Sequence, residues 1–226
     1  MARDLVERPA VGGQRVAMGY EDWLRWGGDA EFKSEWVDGE AIVFMSTKVL
    51  HARLSKFLMI IVSGFVDAHR LGEVLAETIE MRIGRVSRVP DILFVARRHG
   101  DQVTARRLEG PADLVVELIS DDSVERDRDE KFREYAAAGV PEYWLVDARP
   151  GPTAGDATFY QLVGGRYQAA TLDGEGRYQS LVLPGFWLRP EWLRQDPLPD
   201  PWRLLAMIAP EEMRAALGST PDSRSH

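Results

Sequence analysis

The chain contains no cysteine. Disulfide scaffolds, thiolate zinc sites and cysteine nucleophiles are therefore excluded, and the usage fits a reducing cytoplasm. Lysine is scarce: Lys33, Lys48, Lys56 and Lys131 are the only four among 28 basic residues. Arginine is the default cation here, so each lysine carries more information than usual. The four histidines have no close spacing and give no zinc signature. Neither common Gly-rich phosphate loop occurs, nor a G-x-S-x-G elbow. Long apolar runs are missing too. The longest uninterrupted runs are six residues, as at 57–62, which is far too short to span a membrane. The opening M-A-R-D-L-V-E-R-P-A has no apolar signal-peptide core. A basic surplus is also absent. The net charge of -8 argues against strong non-specific DNA binding, while leaving room for a local basic groove.

What is present is one domain's worth of core. A length of 226 residues is short for two domains, and the balance of apolar and charged residues is that of a soluble globular protein. The reading is a flexible arm over 1–15, a domain over 16–195, a helical extension over 196–217 and a disordered tail over 218–226. Residues 18–26 predict a short helix with Tyr20, Trp23 and Leu24 on its apolar side. Asp38-Gly39 within 34–46 predicts a β-hairpin. Residues 48–70 repeat Leu50, Leu54, Phe57, Ile61 and Phe65 at helical spacing, with Gly72 as the terminator. Strands are expected over 73–83, with Leu75, Ile79, Met81 and Ile83 on one face, and over 90–96 and 113–120. A helix follows over 124–138, capped by Asp122 or Ser123 and closed by Gly139. Strand 142–146, a hairpin about Gly164-Gly165 and a strand over 178–183 complete the order. The fold class is α/β (α+β), a mixed sheet flanked by helices with added hairpins at both ends. The amphipathic segment 201–217 reads as a cap on the core, with a homodimer interface as the sharper alternative.

The most informative residue is Glu117, in D-L-V-V-E-L-I-S over 113–120. Its neighbours have the composition of a strand buried on both faces. A buried carboxylate requires a cation, a proton or a hydrogen-bond partner. An arginine partner and a shared metal are both open from this strand alone. Asp91, after Pro90 on the preceding strand, reads by itself as a strand-entry aspartate. As a neighbour of Glu117, however, it makes a carboxylate pair that needs a cation or a proton. Lys131 in D-R-D-E-K-F-R-E-Y reads by itself as part of a solvated helix face. His51, near a helix start, reads as a satisfied or exposed histidine.

The order of P-D (90–91), D-L-V-V-E-L-I-S (113–120) and R-D-R-D-E-K-F-R-E-Y-A-A-A-G-V-P-E-Y-W-L-V-D (126–147) resembles the Uma-type restriction endonuclease family, part of the PD-(D/E)xK nuclease superfamily. The upstream E-W-V-D-G-E-A-I-V-F-M-S and the following His51 match the same pattern. The resemblance spans roughly residues 18–190 and implies a restriction-endonuclease-like core of helix, three antiparallel strands, helix and strand. It implies Asp91 and Glu117 as ligands of Mg²⁺ (or Mn²⁺), with Glu35 as a further acidic contributor to the metal. The superfamily lysine two residues after the glutamate is replaced by Ile119, and Lys131 matches the lysine that this family supplies from the next helix. The implied activity is in-line hydrolysis of DNA leaving a 5′-phosphate, with Asp91, Glu117 and Lys131 as catalytic residues and DNA as a transient partner. Two other readings stay open: a nuclease fold kept for binding or regulation without turnover, and a metal-dependent phosphoesterase for a small substrate.

Overall fold

The computed structural model describes residues 14–26, 32–45, 49–76, 78–121 and 123–218. Strand β1 (Gln14–Ala17) and helix α1 (Tyr20–Trp26) precede the hairpin β2 (Phe32–Val37) and β3 (Glu40–Met45). Helix α2 (Val49–His69) is followed by β4 (Gly72–Ala76), β5 (Glu80–Ile83), β6 (Val86–Arg88), β7 (Ile92–Ala96), β8 (Arg107–Glu109) and β9 (Leu114–Ile119). Helix α3 (Lys131–Ala138) leads into β10 (Glu142–Asp147), β11 (Ala157–Val163) and β12 (Arg166–Ala169). The short pair β13 (Tyr178–Gln179) and β14 (Trp187–Leu188) comes before helices α4 (Pro201–Ile208) and α5 (Pro210–Gly218).

One sheet has the order β12-β11-β10-β9-β7-β4. Strand β7 is antiparallel to both of its neighbours, β4 and β9, and β10 joins β9 in parallel. With α2 before them and α3 between β9 and β10, this is the expected helix, three strands, helix and strand. A second sheet, β1-β3-β2-β6-β5-β8, lies beside it. Strand alternation divides the core into two layers. Leu114, Val116 and Leu118 pack with α2 and α4, whereas Val115 and Ile119 pack with Tyr135 of α3 and with Met81 and Leu108 of the second sheet. Helix α2 is apolar and long enough to cross a membrane by composition. Seven of its residues, including Leu54, Ile61 and Phe65, are nevertheless buried in the first layer, so it serves as a core helix.

Several local expectations change. The strand expected over 73–83 is two strands in different sheets, β4 and β5, separated by Thr78 at φ 93°. Its apolar periodicity survives because Leu75, Ile79, Met81 and Ile83 all face the second layer, which both sheets enclose. Helix α2 ends on Arg70, at φ 53°, with the Leu71 N–H returning to the Val66 carbonyl at 3.0 Å. Gly72 is instead a packing residue: a Cβ there would lie 2.1 Å from the Val95 carbonyl oxygen. Gly72→Ala is expected to cost about 1–3 kcal/mol through overpacking, read as a lower urea midpoint at unchanged m-value. An unchanged midpoint would mean that β4 and β7 separate freely.

Asp38 (φ 49°) and Gly39 (φ 98°) both take the positive φ that the hairpin turn requires, as do Gly164 and Gly165. Gln14 and Arg15, at the end of the stretch read as an arm, pair with β3, and residues 1–13 and 219–226 lie outside the described residues, as do Ser46, Lys48 and Asp122. The Ser123 hydroxyl turns back to accept the Ser120 N–H rather than capping the helix. The strand expected over 178–183 stops at Gln179, because buried Glu142 captures the Ser180 hydroxyl and the N–H groups of Leu181 and Val182. The C-terminal segment is broken at Pro210, and α4 buries Leu204, Leu205 and Ile208 against α2, capping the core.

Candidate active site

Strand β9 directs Glu117 toward α3, where it is 2% exposed. Its antiparallel neighbour β7 pairs Ile92 with Val116, so Asp91, one residue earlier, falls opposite Glu117. Asp91 Oδ2 accepts the Leu118 N–H at 2.8 Å. Asp91 Oδ1 lies 3.3 Å from His51 Nε2, in the first turn of α2. Ile119 occupies the superfamily lysine position and is buried among apolar side chains.

Lys131 reaches Glu117 from α3, across the layer. Its Nζ is 3.0 Å from Glu117 Oε1, 3.1 Å from Glu35 Oε1 and 3.2 Å from Asp127 Oδ1. Asp127, Lys131 and Tyr135 recur every fourth residue and so share a helix face. The Tyr135 hydroxyl donates to the same Glu117 oxygen at 2.9 Å. Residues Arg126–Glu130 form a π-helical turn, anchored by the Tyr143 hydroxyl on the Asp127 carbonyl at 2.9 Å. Such turns insert one residue into a helix and frequently sit at functional sites.

Glu35 comes from the second sheet. The β2–β6 register, Trp36 opposite Ser87, brings it beside Arg88, whose Nη1 donates to Oε2 at 3.0 Å. Arg126 Nε lies 3.6 Å from the same oxygen. Arg88 also grips Glu134 of α3 through two bonds of 2.8 Å each. The sequence reading made Glu35 a contributor to a metal. Here its oxygens face Lys131, Arg88 and Arg126.

The electrostatics divide the carboxylates. Burial would raise the Glu35 pKa, but Lys131, Arg88 and Arg126 outweigh it and bring it to about 2. Burial also opposes charge on Lys131, but the carboxylates of Asp127, Glu117 and Glu35 reverse that and raise its pKa. Glu117 goes the other way. Burial pushes it up, Asp127, Asp91 and Glu35 add to the rise, and Lys131 offsets only part, leaving it at about 8. The Glu35 shift gives a test. Its stabilising contribution is complete above the ordinary value of 4.5 and is lost as pH falls toward about 2. Glu35→Gln should therefore cost about 3 kcal/mol at neutral pH and almost nothing near pH 2, measured by urea unfolding. A deficit independent of pH would contradict this assignment.

Among the described residues, no group of three or more His, Asp or Glu side chains is spaced to hold a metal ion. Mg²⁺ does not require one, because it keeps several waters and binds through one or two carboxylates. Asp91 and Glu117 supply hard oxygen donors from positions opposite each other on adjacent strands, in a cluster where Asp127 and Glu35 add further carboxylates. The pair therefore fits a divalent cation.

Glu117, Asp91, Lys131 and Glu35 thus meet in one buried cluster. Sequence reading missed Asp127, Arg88, Arg126 and Tyr135. The four-residue spacing of Asp127, Lys131 and Tyr135 could have revealed two of them. Arg88 carried no signal, because its partner Glu35 is 53 residues away.

Similarity to known proteins agrees with this fold. A crystal structure described as a putative nuclease belonging to DUF820, from Anabaena variabilis, superposes with a TM-score of 0.60 at 16% identity, covering 76% of this chain and 94% of that one. At that identity the likeness establishes the fold, which is restriction-endonuclease-like. No curated protein matches the chain. The family model Uma2, described as "Putative restriction endonuclease", matches residues 20–191, well over half of the chain. The chain therefore belongs to the Uma2 family.

Proposed function

We propose that this protein is a Mg²⁺- or Mn²⁺-dependent endonuclease that hydrolyses DNA phosphodiester bonds. The observation that carries the reading is Lys131, which arrives from α3 and yet stands 3.0 Å from Glu117 Oε1. Asp91 and Glu117 would hold the cation, which when bound supplies positive charge that acidifies a nearby water and offsets charge growing on the phosphoryl oxygens. Lys131 stays charged and already faces the place where that negative charge develops, so it needs no reorganisation to stabilise it. Glu35 and Asp127 hold the ammonium in place, and Arg88 ties Glu35 to α3 through Glu134. Tyr135 fixes the rotamer of Glu117.

The test is nicking of supercoiled plasmid with Mg²⁺ or Mn²⁺, with and without EDTA. The wild-type protein should nick, EDTA should stop it, and Asp91→Ala should reduce the rate by at least about 10²-fold. Nicking that survives both would remove the assignment. A second reading has its own observation. The cleft beside the cluster, about 310 Å³ in volume, is lined by Arg15, Arg126, Asp121, Glu125 and Glu130. That size and mixed charge also suit a small phosphodiester. Cleavage of bis(p-nitrophenyl) phosphate without plasmid nicking would favour it.

A further inference from the structure

His51 has no part in the roles given above, yet it is 4% exposed and its Nε2 lies 3.3 Å from Asp91 Oδ1. An ionised carboxylate only accepts, so Nε2 is the donor whatever the charge on the ring. The other ring nitrogen, Nδ1, is buried with no hydrogen-bond partner among the described residues. Leaving a buried polar atom unpaired is costly, so an apolar side chain would serve packing better at this point. The cost is explained if the Nε2 contact is what the position is for. Asp91 then has a donor on each oxygen: His51 on Oδ1 and the Leu118 N–H on Oδ2. Two donors from separate elements fix the plane of the carboxylate. Helix α2 is a rigid base for this contact, since Leu54, Phe57 and Leu58 are buried immediately after it.

We propose that His51 is a positioning residue for a divalent cation at Asp91, holding the carboxylate in one rotation. The proposal rests on the reading of Asp91 as a cation ligand. Partners that orient a ligating group in this way typically contribute 10–100-fold to metal affinity.

The experiment is calorimetric titration of the full chain with Mn²⁺ alone, without substrate, for wild type, Asp91→Ala, His51→Ala, His51→Asn and His51→Gln. The glutamine amide nitrogen reaches about as far as Nε2, whereas that of asparagine stops near Nδ1. His51→Ala and His51→Asn should each weaken Mn²⁺ binding by about 10–100-fold, and His51→Gln should restore it to within about threefold. If His51→Ala fails to fold, the asparagine and glutamine variants, both polar, carry the comparison. A purely structural histidine would not separate them by reach. Wild-type affinity in His51→Asn, or a glutamine variant as weak as the asparagine one, would overturn the proposal while leaving the metal site intact. Wild-type protein that binds no Mn²⁺, or binding that persists in Asp91→Ala, would instead remove the reading on which it rests.

Discussion

Replacing Lys131 with methionine is expected to lower the plasmid-nicking rate by about 10²–10³-fold and to destabilise the fold by about 3–5 kcal/mol. Both effects have one origin. Lys131 is 3% exposed and its ammonium touches carboxylates of Glu35, Glu117 and Asp127. Removing one member of a buried charge cluster leaves the others without compensation, and that costs more than the cluster contributes when intact. Arginine should not rescue activity. Its planar fork needs more room than a compact ammonium, and Arg88 and Arg126 already occupy the Glu35 side. Mn²⁺ binding should persist in Lys131→Met, because the methionine takes no donor from Asp91 or Glu117. Urea unfolding and calorimetry separate the two consequences. A folded variant with wild-type nicking would refute the catalytic role, and a variant with unchanged stability would refute the buried ion cluster.

Glu117→Gln should have the opposite effect on stability and an equally large one on function. The folded Glu117 pKa of about 8 lies above the ordinary 4.5, so the native protein holds this proton more tightly than the unfolded chain does. The stability that it contributes is complete below pH 4.5 and is lost as pH rises through about 8. The loss runs at about 1.4 kcal/mol per pH unit and amounts to a few kcal/mol in metal-free protein. Glutamine keeps an oxygen that can accept from Tyr135 and Lys131, and it never ionises. In EDTA, the variant should therefore match wild type near pH 5 and exceed it by a few kcal/mol near pH 9. It should also lose divalent-cation binding and nicking. In the wild-type protein, cation binding near pH 6 should release close to one proton, falling to none well above pH 8, as read by calorimetry in buffers of different ionisation enthalpy. Equal stability of the two proteins near pH 9 would sink this account of Glu117.

The parts of the molecule that local rules govern were legible early. Asp38-Gly39 and Gly164-Gly165 announce hairpins because few residues tolerate positive φ. Helix α2 shows itself by the spacing of Leu54, Phe57, Ile61 and Phe65. Strand β9 shows itself as an apolar run interrupted by Glu117. Misreadings arose where a long-range contact overruled the local pattern. Gly72 looks like a helix terminator, but the carbonyl of Val95 is what excludes a side chain there. Strand 178–183 is cut short by a carboxylate on β10. The segment 73–83 keeps one apolar face while changing sheets, a switch that alternation cannot encode.

The sequence by itself determined the order of the core elements, the family, and the oddity of a glutamate inside β9. Spacing along the chain carries that information, since backbone conformation and side-chain alternation are local. The tertiary structure decided the partners of that glutamate. It turned Lys131 from an ordinary helix-surface lysine into a buried cation, and it set Glu35 against Lys131, Arg88 and Arg126. It also added Asp127 and Tyr135 from α3 and set His51 of α2 against Asp91. These groups come from separate elements and meet because two sheets and a helix close on one layer. Burial there removes the water that would otherwise screen every charge, so proximity in space, not order in the chain, sets each group's protonation and use.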